Sequence, residues 1–110
     1  VAADVIAAAQ ARSAGLVLAV FEGARADPDL AALAAQLTAQ RATTARWLVD
    51  AMTRLAAPRS ADAADDLWLL MDPAVFDRLV RQRGWSPQRY ARWFARSARR
   101  LLFPDGRNPP

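Results

Sequence analysis

Three times along this chain a side chain that caps helices stands directly before a proline: Asp27-Pro28, Asp72-Pro73 and Ser86-Pro87. A cap accepts hydrogen bonds from unpaired N–H groups of the first helical turn, and proline in the next position loses nothing by lacking an N–H of its own. Each pair therefore predicts a helix start. Gly84, two residues before Ser86, supplies the left-handed backbone that ends a helix. A chain punctuated in this way has little room for strands.

The residues between these marks carry helical periodicity. A first helix over about residues 2–24 places Val5, Ile6, Ala9, Leu16, Val17, Val20 and Phe21 in two adjacent stripes, interrupted by a polar notch at Gln10, Arg12 and Ser13. A second, opened by Asp27, runs to about Leu55. Leu30, Leu33, Leu37, Thr44, Leu48 and Leu55 recur along its apolar face, with Arg41, Arg46, Asp50 and Arg54 on the polar side. Ala57-Pro58-Arg59 ends it and Ser60 caps a third helix, which carries Ala64, Leu67, Trp68 and Met71. That helix kinks or restarts at Asp72-Pro73 to continue through Val75, Phe76, Leu79 and Val80. A fourth spans Pro87 to about Leu102, with Trp85 packing under the turn before it. No pair of alternating runs flanks an Asn-Gly or Asp-Gly hairpin, and there are only four glycines. The fold class is all-α: an antiparallel helical domain of four to five helices over residues 1–103, followed by a tail at 104–110 that proline and glycine keep out of the helix. Val1-Ala2-Ala3 is helical in character without a cap, which reads as the inside of a longer polypeptide.

Composition narrows the function. There is no cysteine and no histidine, which removes thiolate and imidazole metal ligands and the commonest general base. No metal, no cofactor and no catalytic group is expected. Asp62, Asp65 and Asp66 sit at i, i+3 and i+4, a spacing that could hold a hard cation, but acids in a first helical turn serve equally to offset the helix dipole. No strongly apolar run approaches the length that spans a bilayer, so a cytoplasmic setting without membrane contact is expected. Charge is asymmetric: residues 1–77 carry a net of −4 and residues 78–110 a net of +8. Arg89, Arg92, Arg96, Arg99 and Arg100, with Tyr90 and Trp93 interleaved, leave an arginine-rich nucleic-acid module as the alternative.

The last two helices hold more apolar surface than a 110-residue core can use. Leu67 to Met71 are consecutive and point in all directions. Cover from a second copy of the chain is the economical solution, with two helices from each subunit forming a four-helix bundle. The expected interface is Leu67, Phe76, Leu79, Val80, Tyr90, Trp93, Phe94 and Leu101. A stand-alone helical dimer would satisfy the same residues.

Residues 60–103 resemble the end of the effector-binding domain of TetR-type (tetracycline-repressor-like) transcriptional regulators. The resemblance is carried by Leu67-Trp68, Asp72-Pro73, Phe76, Leu79-Val80, Arg83-Gly84-Trp85-Ser86-Pro87, Arg89-Tyr90, Trp93 and Leu101-Leu102-Phe103. It implies a homodimer that senses a small hydrophobic effector and binds operator DNA only through an N-terminal helix-turn-helix domain absent from these residues. A pocket for the effector needs an apolar cavity with a few convergent polar groups. The arrangement that best offers this is Gln10 and Ser13, facing Thr44 or Trp47 on the second helix and Trp68 or Met71 on the third.

Overall fold

The computed structural model describes residues 2–54 and 61–103. Every regular element among them is helical. They are α1 (Ala2–Gly23), α2 (Pro28–Thr53), α3 (Ala63–Leu70), α4 (Pro73–Phe76), which runs on into a π-helical segment (Asp77–Gln82), and α5 (Pro87–Leu102). The all-α class is thus observed, with five helices. The domain is a slab of 46 × 29 × 19 Å, and its short axis is about two helix diameters. Its radius of gyration, 14.8 Å, exceeds the ~13 Å typical of a compact chain of this length. With so thin a body most helices keep one face on solvent.

All three cap-proline pairs open helices by the expected bonds. Asp27 Oδ1 accepts the Asp29 N–H at 2.8 Å, Asp72 Oδ1 the Ala74 N–H at 2.9 Å, and Ser86 Oγ the Arg89 N–H at 3.1 Å. Gly84, at φ +73°, is the one positive-φ residue described. The chain breaks and restarts at Met71-Asp72. Helix α2 ends at Thr53, slightly before the expected Leu55. The Ala57-Pro58-Arg59 stop, the Ser60 cap and the 104–110 tail lie outside the described residues.

The π-helical segment has no counterpart in the sequence reading. Its wider turn is marked by the Arg83 N–H donating to Arg78 O at 3.0 Å, five residues back, and by the Trp85 N–H reaching Leu79 O at 3.0 Å. A glycine-terminated helix normally closes with a bond one residue shorter than that last one, and the extra residue is the π turn. Gln82 Nε2 donates to Asp77 Oδ2 at 3.3 Å across the same five-residue step. Trp85 then turns its edge to Trp93, centroids 6.3 Å apart, and carries the Arg89 guanidinium 4.0 Å above its ring.

Two kinds of packing meet in this slab. From α3 onward the core is large: Leu67, Met71, Phe76, Tyr90, Phe94, Leu102 and Phe103 are buried, with Phe76 edge-on to Tyr90 at 4.9 Å. From α1 and α2 it is small: Ala7, Ala14 and Ala45 are buried, Ala45 completely. The stripes expected on α1 are met in part, with Ile6, Val17, Val20 and Phe21 buried or half-buried. Val5 and Leu16 face solvent, Leu16 at 72% exposure, and alanines hold the inner face with Val20. On α2, Leu33 and Thr44 point outward and Arg41, expected on the polar side, points inward. Alanine wins these positions because helices pack at short interaxial distance only where side chains are small.

Alanine also raises the overall hydropathy of α1. Ala3–Gly23 has a mean hydropathy of 1.4 over an 18-residue window, so by length and composition it is long and apolar enough to cross a membrane. One of its faces is used inside the domain, where Ala7, Ala14 and Val20 are buried.

Candidate functional site

Of the expected notch on α1, Gln10 turns toward the rest of the domain while Arg12 and Ser13 are exposed. Gln10 Nε2 donates to Met71 O at 2.8 Å, and Tyr90 Oη reaches Leu70 O at 3.4 Å. Both acceptors belong to the end of α3, where carbonyls have no partner within the helix. Beside them Arg41 comes within 3.9 Å of Asp72 with its side chain 12% exposed, and its guanidinium lies 4.6 Å above the Trp68 ring. Groups from four helices thus converge on the α3–α4 break, which sequence alone marks only as a cap. Burial pushes the Tyr90 hydroxyl up from 10.0 to about 12, against a hydrogen bond with Gln10 that favours ionisation and with help from the Asp72 charge. A neutral phenol at the centre of the network is a structural donor, not a proton carrier near neutral pH.

Of the six residues expected to line an effector pocket, the structure joins Gln10 and Met71 directly and sets Trp68 against the same network through Arg41. Ser13 and Thr44 do not converge on it. Each is exposed and returns its hydroxyl to its own helix, Ser13 to Ala9 O at 2.7 Å and Thr44 to Gln40 O at 3.0 Å, the ordinary use of such side chains within a helix. Trp47 stands apart at 64% exposure.

Trp47 instead forms the lip of a cleft of about 430 Å³ between the start of α1, the latter half of α2, α3 and α5. Ile6, Leu48, Met52, Leu67 and Phe94 give it an apolar lining. Arg99 is the one charged residue among the described residues that line it. A broader groove of about 590 Å³ runs between α2 and α3, walled by alanines such as Ala35 and Ala42 with Arg46, Asp65 and Trp68. The four-sided cleft fits an apolar guest better than the alanine groove, because ligand affinity comes from surrounding contact. Sequence reading named Trp47 as a pocket residue but not the others, since they come together from four helices remote in sequence.

The expected interface residues divide sharply. Leu67, Phe76, Tyr90 and Phe94 are inside the chain's own core and have almost no surface left for a partner. Leu79, Val80 and Trp93 are half-buried, and Leu101 is 41% exposed. The apolar side chains that the sequence could not place in one subunit are partly accommodated there by the α3–α4 break, which turns successive faces of the segment inward. The five arginines of α5 are exposed, and of the two aromatics interleaved with them Tyr90 is buried and Trp93 half-buried. Among the described residues no three His, Cys, Asp or Glu side chains group where a metal could bind, so Asp62, Asp65 and Asp66 do not converge on one point.

No family model matches this chain, and neither a curated protein nor a solved structure matches it.

Proposed function

We propose that this chain is the effector-sensing and dimerisation domain of a TetR-type transcriptional regulator. In this reading it works in the cytoplasm as a homodimer, without metal or cofactor, and operator DNA is bound through an N-terminal helix-turn-helix domain outside these residues. The observation that carries the reading is the apolar cleft at Trp47, lined by residues of four helices. The helix punctuation from Asp72 through Gly84 to Ser86, on which the family resemblance rests, supports it through the bonds those residues make.

The mechanism is linkage. A guest in the cleft touches α1, α2, α3 and α5 at once, so it favours whichever mutual arrangement of those helices surrounds it best. On helix α5, Leu101 is exposed and Trp93 half-buried, and in this reading they meet a second subunit. A dimer geometry tied to that arrangement changes operator affinity by the guest's differential affinity for the two states, and by no more.

Light scattering across a concentration series tests the reading. It predicts a dimer that Leu101→Glu and Trp93→Glu weaken while the helical signal stays intact. A charge at Phe76 is unsuitable for this purpose, because that residue is core and a buried charge there would destabilise the fold itself. A folded monomer at all concentrations contradicts the dimer. DNA binding by this chain with a steep salt dependence would replace the sensor reading with the nucleic-acid one.

A further inference from the structure

We propose that the cleft at Trp47 binds an anionic amphiphile, a hydrocarbon body ended by a single carboxylate, with Arg99 as the anchor of that carboxylate. The inference rests on the sensor reading and gives its ligand a chemical class.

The room for a hydrocarbon is made by small residues in a row of large ones. Along the inner face of α5, Phe94 and Leu102 are buried one turn before and one turn after Ala98, and Ala95 lies beside Ala98 on the cleft wall. Where a leucine at these positions would close the core, the alanines leave a hollow against Ile6, Leu48 and Met52. Trp47 is a large indole held 64% exposed at the lip, so a guest chain gains apolar contact by covering it. This accounts for the apolar body.

The charge accounts for the end group. Helix α5 carries Arg89, Arg92, Arg96, Arg99 and Arg100 and no acid. Arg89 stacks on Trp85, and Arg99 is the arginine that lines the cleft. No acid is among the described residues lining it. A guanidinium beside an apolar cavity matches a carboxylate in a two-pronged, charge-assisted geometry, and the neighbouring arginines add a field that attracts anions and repels cations.

The test titrates the whole chain with dodecanoate, dodecanol and dodecylamine, each below its micellar concentration, following tryptophan emission and melting temperature. Dodecanoate is expected to bind saturably, with a blue shift that Trp47→Phe removes. Arg99→Gln is expected to weaken dodecanoate about tenfold, in line with the loss of a charge-assisted hydrogen bond, and to leave dodecanol unchanged. Ala98→Phe, which fills the hollow, and the milder Ala95→Leu at its wall are expected to abolish or weaken binding of both. Dodecanol binding as tightly as dodecanoate, with Arg99→Gln silent, overturns the anion claim and leaves a neutral sensor cleft. Saturable binding untouched by both filling variants, or no binding by any of the three, overturns the site itself. Binding of dodecanoate by a strictly monomeric chain supports this inference and contradicts the dimeric sensor reading.

Discussion

The segment from α3 to α5 and the α1–α2 pair are built by opposite rules. The first buries the large side chains of Leu67, Phe76, Tyr90, Phe94 and Leu102; the second buries Ala7, Ala14 and Ala45 and leaves Leu16 and Trp47 outside. Both sets belong to one core, in which α1 and α2 supply small side chains and the later helices the large ones that fill the space. The contrast teaches that a hydrophobic residue's size does not decide its side. The cleft lies where the two rules meet, with α1 and α2 on one wall and Leu67 and Phe94 on the other.

The contrast breaks most visibly under opposite substitutions. Phe76→Ala removes a core ring that sits edge-on to Tyr90 and is expected to cost about 3–5 kcal/mol in urea unfolding. Leu16→Ala, at an exposed position, is expected to stay within about 0.5 kcal/mol. Enlarging the small half is the mirror case: Ala45→Leu at a fully buried site is expected to cost about 1–3 kcal/mol through overpacking. If Ala45→Leu were neutral and Leu16→Ala costly, the assignment of faces on α1 and α2 would be wrong.

Gly84→Ala sharpens the account of the turn that leads into α5. A Cβ there meets nothing within 4 Å, so the expected loss of about 1–2 kcal/mol is the backbone cost of a left-handed residue alone. An unchanged unfolding midpoint would mean that the turn relaxes.

A pH-dependent effect concerns the polar network. Because burial raises the Tyr90 pKa from 10.0 to about 12, the folded chain holds that proton more tightly than the unfolded chain. The resulting stability is complete below pH 10 and is lost as pH rises toward about 12, with a limiting slope of about 1.4 kcal/mol per pH unit. Alkaline unfolding of the native chain and of Tyr90→Phe checks this. The variant is expected to lose that part of the slope, and an identical slope would assign it to other groups.

What could be read from sequence was what is local. Asp27, Asp72, Ser86 and Gly84 act on their own next turn, so their bonds follow from neighbours in the chain. The π turn was illegible because one extra residue in a helix leaves no compositional mark. Arg41 was assigned to the wrong face because its inward position depends on Asp72 and Trp68, both remote in sequence. Of the cleft, only Trp47 was legible as a pocket residue; Gln10 and Met71 bond to each other and are not among the described residues that line it. Its location was not legible, because a cleft exists only where four helix segments fail to fill the space between them.

Sedimentation across a concentration series tests the central claim most directly, since the sensor reading requires a dimer whose geometry a bound guest can bias. The account predicts a reversible dimer that stays assembled when dodecanoate is bound. A monomer at every concentration would contradict it.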